Sequence, residues 1–560
     1  MKRVTLDKPT LLRFVAIALG LGALLATLWR VQRGVEFTDE AYYVAMPARF
    51  VMGDRPFVDE LNIGQTAGLL LYPFVRVYAA IAGWTGIYFF VRILYVVFFG
   101  VVGWSTFTLA KTHLPRPSAI LVGVGCVCYI PYSAPGLSYN TLGGGLLTIG
   151  LFLGCRSLAN REDVVPRFHR DPLFWAGAAH AAACFAYPTV VVATMLQAVA
   201  IFALASGRRL RSIALFCAGG AGFVALLLPV FFKAGAGSVR LMAEYFNASG
   251  PPPAHPPPLL DRVMTTVSQF VALHPDLWKH AALIAIAAVL VRRWPLVVGL
   301  LLAVVPLYVK VPVGGTQASL HYVSCFACFG PLFAIALRDR RAARTILLGA
   351  WGPSVAAGVA TGMSSGNGVV AAGVGLFPAA IASALLLAMW IDETAKRWPW
   401  PWLRALAQLA PAAFVVAMLQ YELADDAVYR DHAVSTLTSR ITEGPYKGLY
   451  TFPERKRWLG AITADIRTYG GTPRMLFYYD FPAGYLIADR PPLVPSVWIF
   501  GFPERAALDS RYFHAHALPG EHVFRLDGGW NPNGTSVDKA VADRCDLVGR
   551  REGYSIYVVR

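Results

Sequence analysis

The residues best suited to chemistry stand in one short stretch of the chain. It reads Phe37-Thr38-Asp39-Glu40-Ala41-Tyr42-Tyr43, then Gly53-Asp54-Arg55-Pro56-Phe57-Val58-Asp59-Glu60. Residues 1–420 contain only sixteen Asp and Glu, and six of them, Glu36, Asp39, Glu40, Asp54, Asp59 and Glu60, fall here. The pair Asp39-Glu40 beside Tyr42 and Tyr43 suits general-base work on a hydroxyl, or the holding of a divalent cation. The same residues also make a solvated acidic loop with tyrosines anchored at a membrane surface.

Other outer loops show a second pattern. Pro135-Gly136-Leu137-Ser138-Tyr139-Asn140-Thr141, Gly314-Gly315-Thr316-Gln317 and Ser364-Ser365-Gly366-Asn367-Gly368 are rich in amides, hydroxyls and flat rings. Such groups suit a polyhydroxylated ligand such as a sugar, and they equally make ordinary turns and caps. Arg92, Lys233, Lys310 and His321 add ionisable groups within or beside apolar runs. Charge inside a membrane helix faces the bundle interior or a polar cavity, so Arg92 is the first phosphate candidate and Lys310 the second. Snorkelling to lipid headgroups is the alternative for both. His180, among alanines, reads as a core or pore-lining group.

The elements that must position these groups are membrane helices. Of 560 residues, 56% are hydrophobic and 15% charged, with a mean hydropathy of +0.51, whereas a soluble domain keeps about a quarter of its residues charged. The apolar residues come in runs near the ~20 residues that cross hydrocarbon. Thirteen are predicted: 10–29, 87–110, 118–131, 142–158, 173–186, 188–205, 212–232, 281–291, 295–308, 322–337, 345–361, 369–390 and 403–420. The first, without a clear small-residue cleavage site, is read as a retained helix. Short cytoplasmic loops collect Lys and Arg. The basic clusters are Lys2/Arg3/Lys8, Lys111/Arg116, Arg156/Arg161/Arg167/Arg170, Arg208/Arg209/Arg211, Arg292/Arg293, Arg338/Arg340/Arg341/Arg344 and Lys396/Arg397/Arg404. Placing them all inside requires the run Gly68–Ala82, with Pro73 and Arg76, not to cross. It is expected to be a re-entrant or interfacial helix within a first outer loop, 31–86.

Residues 421–560 then form an extracytoplasmic domain. They hold seventeen basic and seventeen acidic residues, so the net +17 lies wholly in residues 1–420. Loop rims that meet anionic headgroups account for it, and nothing indicates a nucleic-acid partner. A helix over Pro453–Tyr469 and strands over Met475–Tyr479 and Ser555–Val559 predict a small α/β fold. It carries no nucleotide-binding glycine loop, metal-ligand spacing or nucleophile elbow. Seven of the eight cysteines lie in apolar runs, and Cys325-x-x-Cys328 reads as packing. Gly250–Pro258, with six prolines, reads as a stiff spacer in an outer loop.

The order Asp39-Glu40, Gly53–Asp59, Gly68–Ala82 resembles the GT-C superfamily of membrane glycosyltransferases. Its protein O-mannosyltransferase and lipid A aminoarabinose transferase members have a first helix, an outer loop with an Asp-Glu pair, a Gly-Asp-x-Pro-Phe/Tyr-x-Asp segment and a juxtamembrane helix. The aminoarabinose enzymes carry Glu-Lys-Pro-Pro before that helix; here Asn62-Ile63-Gly64-Gln65-Thr66 stands instead, which points away from that sugar and removes a lysine near the donor phosphate.

The resemblance implies sugar transfer from a polyprenyl-phosphate donor to a hydroxyl of a lipid, glycan or protein at the outer face of the cytoplasmic membrane, with inversion. Asp39 would accept the acceptor proton. Glu40 or Asp59 would position the acceptor or help hold a divalent cation, and Arg92 and Lys310 would neutralise the leaving phosphate. Tyr42, Tyr139, Asn140 and His321 are the candidates for sugar or acceptor contacts. A lipid-linked glycan flippase should show mid-membrane ionisable residues and repeat symmetry. An envelope polymerase or ligase should show Arg-rich outer loops. A non-catalytic scaffold should tolerate loss of Asp39.

Overall fold

The computed structural model describes residues 8–159, 170–205, 208–247, 257–309, 311, 314–337, 339–478, 481–497, 503–527 and 537–560. Lys2, Arg3, Arg161, Arg167, Lys310, Arg338 and most of Gly250–Pro258 lie outside the described residues.

Each of the thirteen predicted apolar segments overlaps a helix. Among the described residues, eight helices are long and apolar enough to cross a membrane, and five more are apolar but 10–17 residues long. The first helix, α1 (Lys8–Arg30), turns Leu11, Phe14, Leu21 and Leu25 outward and packs its other side on the helix Arg116–Val127. Glycines let neighbouring helices close up. At Gly103 a Cβ would meet the carbonyl oxygen of Gly123 at 2.6 Å, so this crossing brings two backbones together without side chains between them.

Two helices follow α1 before the next span. The first, α2 (Asp39–Val51), begins on the acidic pair; its thirteen residues are too few and too mixed to give a membrane-helix signal. The second, α3 (Gln65–Ala82), is the ambiguous run, and it is not one of the eight spanning candidates. It lies against α2, burying Ala67, Leu71 and Val75 while exposing Phe74, Val77 and Ile81 on its other side. That two-sided pattern suits a helix lying on a bilayer surface. The span α4 (Ile87–Ala110) follows.

The C-terminal part holds a two-stranded ribbon, β1 (Ser439–Arg440) with β2 (Tyr450–Thr451), and a four-stranded sheet. The sheet order is β3 (Met475–Tyr478), β4 (His522–Leu526), β6 (Tyr554–Val559), β5 (Cys545–Arg551), with β3 and β4 parallel and the other pairs antiparallel. The helix Pro453–Tyr469 falls where the sequence placed it.

This part is docked on the loops that follow α1. Gly34 N donates to Tyr450 O and Tyr450 N to Gln32 O, both at 2.9 Å. Tyr446 stacks on Tyr88 at the head of α4, with ring centroids 4.1 Å apart. Deeper in the junction, Arg49 Nε bonds Asp54 at 2.6 Å and Arg49 Nη1 bonds Glu60 at 3.1 Å, while Arg474 Nη2 reaches Asp54 at 2.6 Å. Val497 N closes the group by donating to Glu60. The span α4 starts beside this docked part, where Gly86 N donates to Gly444 O, and runs 24 residues before Lys111/Arg116 follow at its far end.

Candidate active site

Asp39 is the first residue of α2, and a third carboxylate sets that helix start. Glu36 accepts the backbone N–H groups of Thr38 and Glu40, each at 2.7 Å, and the Thr38 hydroxyl. Orphan N–H groups at the head of a helix need such acceptors. Burial and the nearby Asp39 charge push the Glu36 carboxyl up to about 8.

Asp39 opens onto a narrow cleft of about 50 Å³ lined by Tyr43, Tyr132, Ser138, Tyr139, Asn140, Asn367 and Tyr429, with the Glu40 stem at its wall. The walls come from α2, the turn Pro131–Ser133, the head of the helix Tyr139–Ala159, and the loop before Gly368–Ala371. Tyr429 comes from the segment beyond the last apolar helix and donates its hydroxyl to Asp39 Oδ2. Burial and Asp39 both push the Tyr429 hydroxyl up, so it stays protonated and remains a donor. Tyr43 and Tyr139 meet edge to face at 5.5 Å, and Asn367 reaches the Tyr132 hydroxyl at 3.4 Å. Tyr132 and Ser133 sit at φ 57° and 53°. Non-glycine residues held there cost on the order of 1–3 kcal/mol each, a strain that collects at functional sites.

Glu40 and Arg92 correct the sequence reading. Arg92 Nε bonds Glu40 Oε1 and Nη2 bonds Oε2, both at 2.6 Å. Its remaining N–H groups go to the carbonyls of Val31 at 2.8 Å, Arg33 at 3.2 Å and Gly34 at 2.9 Å. A guanidinium has five N–H donors, and here all five have partners. Arg92 has nothing left to offer a phosphate, and it occupies both oxygens of Glu40. A cation shared by Asp39 and Glu40 would have to displace it. The pair instead staples α4 to the loop that delivers Asp39.

The remaining candidates divide. Tyr139 and Asn140 line the cleft. Tyr42 turns away from it, with its hydroxyl 2.5 Å from where a Cβ of Gly64 would stand. Asp59 sits outside, bonding Arg55 N at 2.7 Å and the Arg55 side chain at 3.4 Å. His321 is paired with His274, Nδ1 to Nε2 at 3.1 Å, and does not line the cleft. Since His274 Nδ1 bonds the Phe270 carbonyl, its Nε2 accepts and His321 Nδ1 donates, so the two satisfy each other. Lys310 lies outside the described residues. Of the three turn-like loops, Pro135–Thr141 and Ser364–Gly368 contribute to the cleft, and Gly314–Gln317 does not. Tyr132, Tyr429 and Arg430 join the site beyond the sequence reading; Tyr429 and Arg430 bear no local mark beyond following the last apolar run.

Chemically, the cleft offers an oriented carboxylate, ring faces for sugar C–H surfaces, and amides and hydroxyls for sugar oxygens. No family model matches the chain. No curated protein matches it in sequence. Among solved structures it is similar to the archaeal oligosaccharyltransferase AglB from Archaeoglobus fulgidus in complex with an inhibitory peptide and a dolichol-phosphate. The TM-score is 0.48 at 13% identity, over 92% of this chain and 69% of that one. It is also similar to ArnT from Cupriavidus metallidurans bound to undecaprenyl phosphate, with a TM-score of 0.44 at 13% identity over 97% of each chain. At that level of likeness, the functional reading rests on the cleft itself.

Proposed function

We propose that this chain is an integral membrane glycosyltransferase that moves a sugar from a polyprenyl-phosphate donor to a hydroxyl acceptor at the outer face of the cytoplasmic membrane. The observation that carries the reading is Asp39, held by Tyr429 in a cleft of tyrosines, amides and a serine at the helix ends away from the basic loops. Positive loops stay inside, so cleft and C-terminal domain face outward.

Transfer runs in one displacement. The acceptor hydroxyl gives its proton to Asp39 as its oxygen bonds the anomeric carbon. The carbon–oxygen bond to phosphate breaks, its electron pair goes to the phosphate oxygen, and the configuration inverts. Tyr132, Tyr139 and Tyr43 offer ring faces to the sugar, while Ser138, Asn140 and Asn367 meet its hydroxyls. The Arg92–Glu40 pair keeps the base in register. A lipid-linked donor enters sideways from the bilayer, so no nucleotide fold is needed.

The test is turnover of a labelled polyprenyl-phosphate sugar by purified full-length protein carrying Asp39→Asn. Loss of a general base costs ~10²–10⁴-fold in rate. Turnover is expected to fall by that much while donor binding persists. Wild-type-like turnover would sink the reading.

A further inference from the structure

The groups facing Asp39 come from separate stretches of chain. Glu36 precedes it on the same loop and Tyr43 follows on α2; Tyr132 and Tyr139 stand across the cleft. Tyr429 and Arg430 arrive from a segment some 390 residues later. Arg430 Nη1 lies 3.5 Å from Asp39 Oδ2 and 3.8 Å from Glu36 Oε1, and it donates to the Thr38 hydroxyl. Its guanidinium carbon is 4.9 Å from the Tyr429 ring centroid. The backbone is shaped to hold it there. Arg430 sits at φ 51°, a conformation that side-chain-bearing residues rarely adopt, and its carbonyl accepts from Arg455 at 2.8 Å. Arg455 is itself anchored on Val35 O and lies 3.4 Å from Asp431.

We propose that Tyr429 and Arg430 are positioning residues for Asp39, fixing its carboxylate toward the acceptor and keeping it ionised. The segment after the last membrane helix thereby belongs to the catalytic apparatus. This rests on the reading of Asp39 as the base.

The electrostatics favour such a role. Two carboxyls this close disfavour joint ionisation, and a cation within 4 Å of both relieves it. The upward push on Glu36, from burial first and then from Asp39, agrees with two carboxyls competing for one place. Tyr429 contributes a hydrogen bond to the charged form, and so favours it as well.

The experiment measures kcat/KM against pH for the full-length protein with Arg430→Gln, Arg430→Lys and Tyr429→Phe, beside labelled-donor binding. Removing a cation this close raises a carboxyl by about 1–2 pH units. In Arg430→Gln the acidic limb should move up by that amount. Arg430→Lys should restore most of the wild-type profile, and Tyr429→Phe should shift the limb in the same direction by less. Donor binding should hold in all three. A profile lowered uniformly with its limb unmoved would overturn the proposal, as would lost donor binding with an unmoved limb. If Arg430→Gln does not accumulate, Tyr429→Phe, which removes one oxygen, decides by the same limb. Failure of the base reading looks different: Asp39→Asn would then turn over normally whatever the two partners do.

Discussion

Arg92 holds Glu40 by both carboxylate oxygens, Nε to Oε1 and Nη2 to Oε2, each at 2.6 Å, inside a shell of three backbone carbonyls. Both side chains are almost wholly buried. Removing one partner of such a pair costs about 3–5 kcal/mol, because the other charge is left uncompensated. Arg92→Ala should therefore lower the thermal midpoint and the yield of folded protein. The double variant Arg92→Met/Glu40→Leu should regain part of that loss. Unfolding followed in detergent checks this. An Arg92→Ala protein with an unchanged midpoint and no donor binding would return Arg92 to the phosphate.

Glu36 gives a pH signature of stability. Its carboxyl is raised to about 8, first by burial and then by Asp39. A raised group stabilises the fold fully below its ordinary value of ~4.5 and loses that contribution as pH rises through the folded value. The thermal midpoint should fall between roughly pH 5 and 8, and Glu36→Gln should flatten that slope. A Gln variant with the wild-type slope would place the titrating group elsewhere.

The junction of Arg49, Asp54, Glu60 and Arg474 should act as the clasp of the C-terminal domain. Arg49 is fully enclosed and Asp54 bonds both arginines. Asp54→Ala should loosen the domain and raise hydrogen exchange in β3, with membrane-helix protection kept. Unchanged exchange in β3 would mean that the Tyr88–Tyr446 stack and the Gly34–Tyr450 pairing suffice.

Sidedness is open to a direct check. A reporter active only in the cytoplasm, fused after Arg560, should stay silent. Activity would reverse the parity and make Gly68–Ala82 a crossing helix.

Much of this architecture was legible in local pattern. Runs of apolar residues marked the helices, and the loop charges barred Gly68–Ala82 from crossing, in keeping with a helix that exposes Phe74, Val77 and Ile81 on one side only. Pro453–Tyr469, β3 and β6 were visible as a proline-led helix and two β-branched or aromatic runs. In contrast, β5 reads Cys-Asp-Leu-Val-Gly-Arg-Arg, with three charged residues in seven, and becomes a strand because β6 pairs with it. In the site, Asp39, Tyr139 and Asn140 could be chosen by type and place. Arg92 was chosen rightly as a buried cation and given the wrong partner, because an inventory of charges does not say which neutralise each other. Tyr429 and Arg430 lay beyond reach for a related reason: only the three-dimensional fold brings them to Thr38 and Asp39.

That the hydroxyl of Tyr429 meets Asp39 across so much sequence also bears on how the protein is made. During synthesis, the first helix and the carboxylate behind it leave the ribosome early, hundreds of residues ahead of their partner. Every apolar helix is synthesised before Tyr429 and Arg430. A chain ending at Glu422 would hold the apolar helices but lack both residues that contact Asp39 from the C-terminal side. The contacts of Tyr429 and Arg430 with Asp39 and Thr38 form only when the final quarter of the chain folds back onto the first sixty residues.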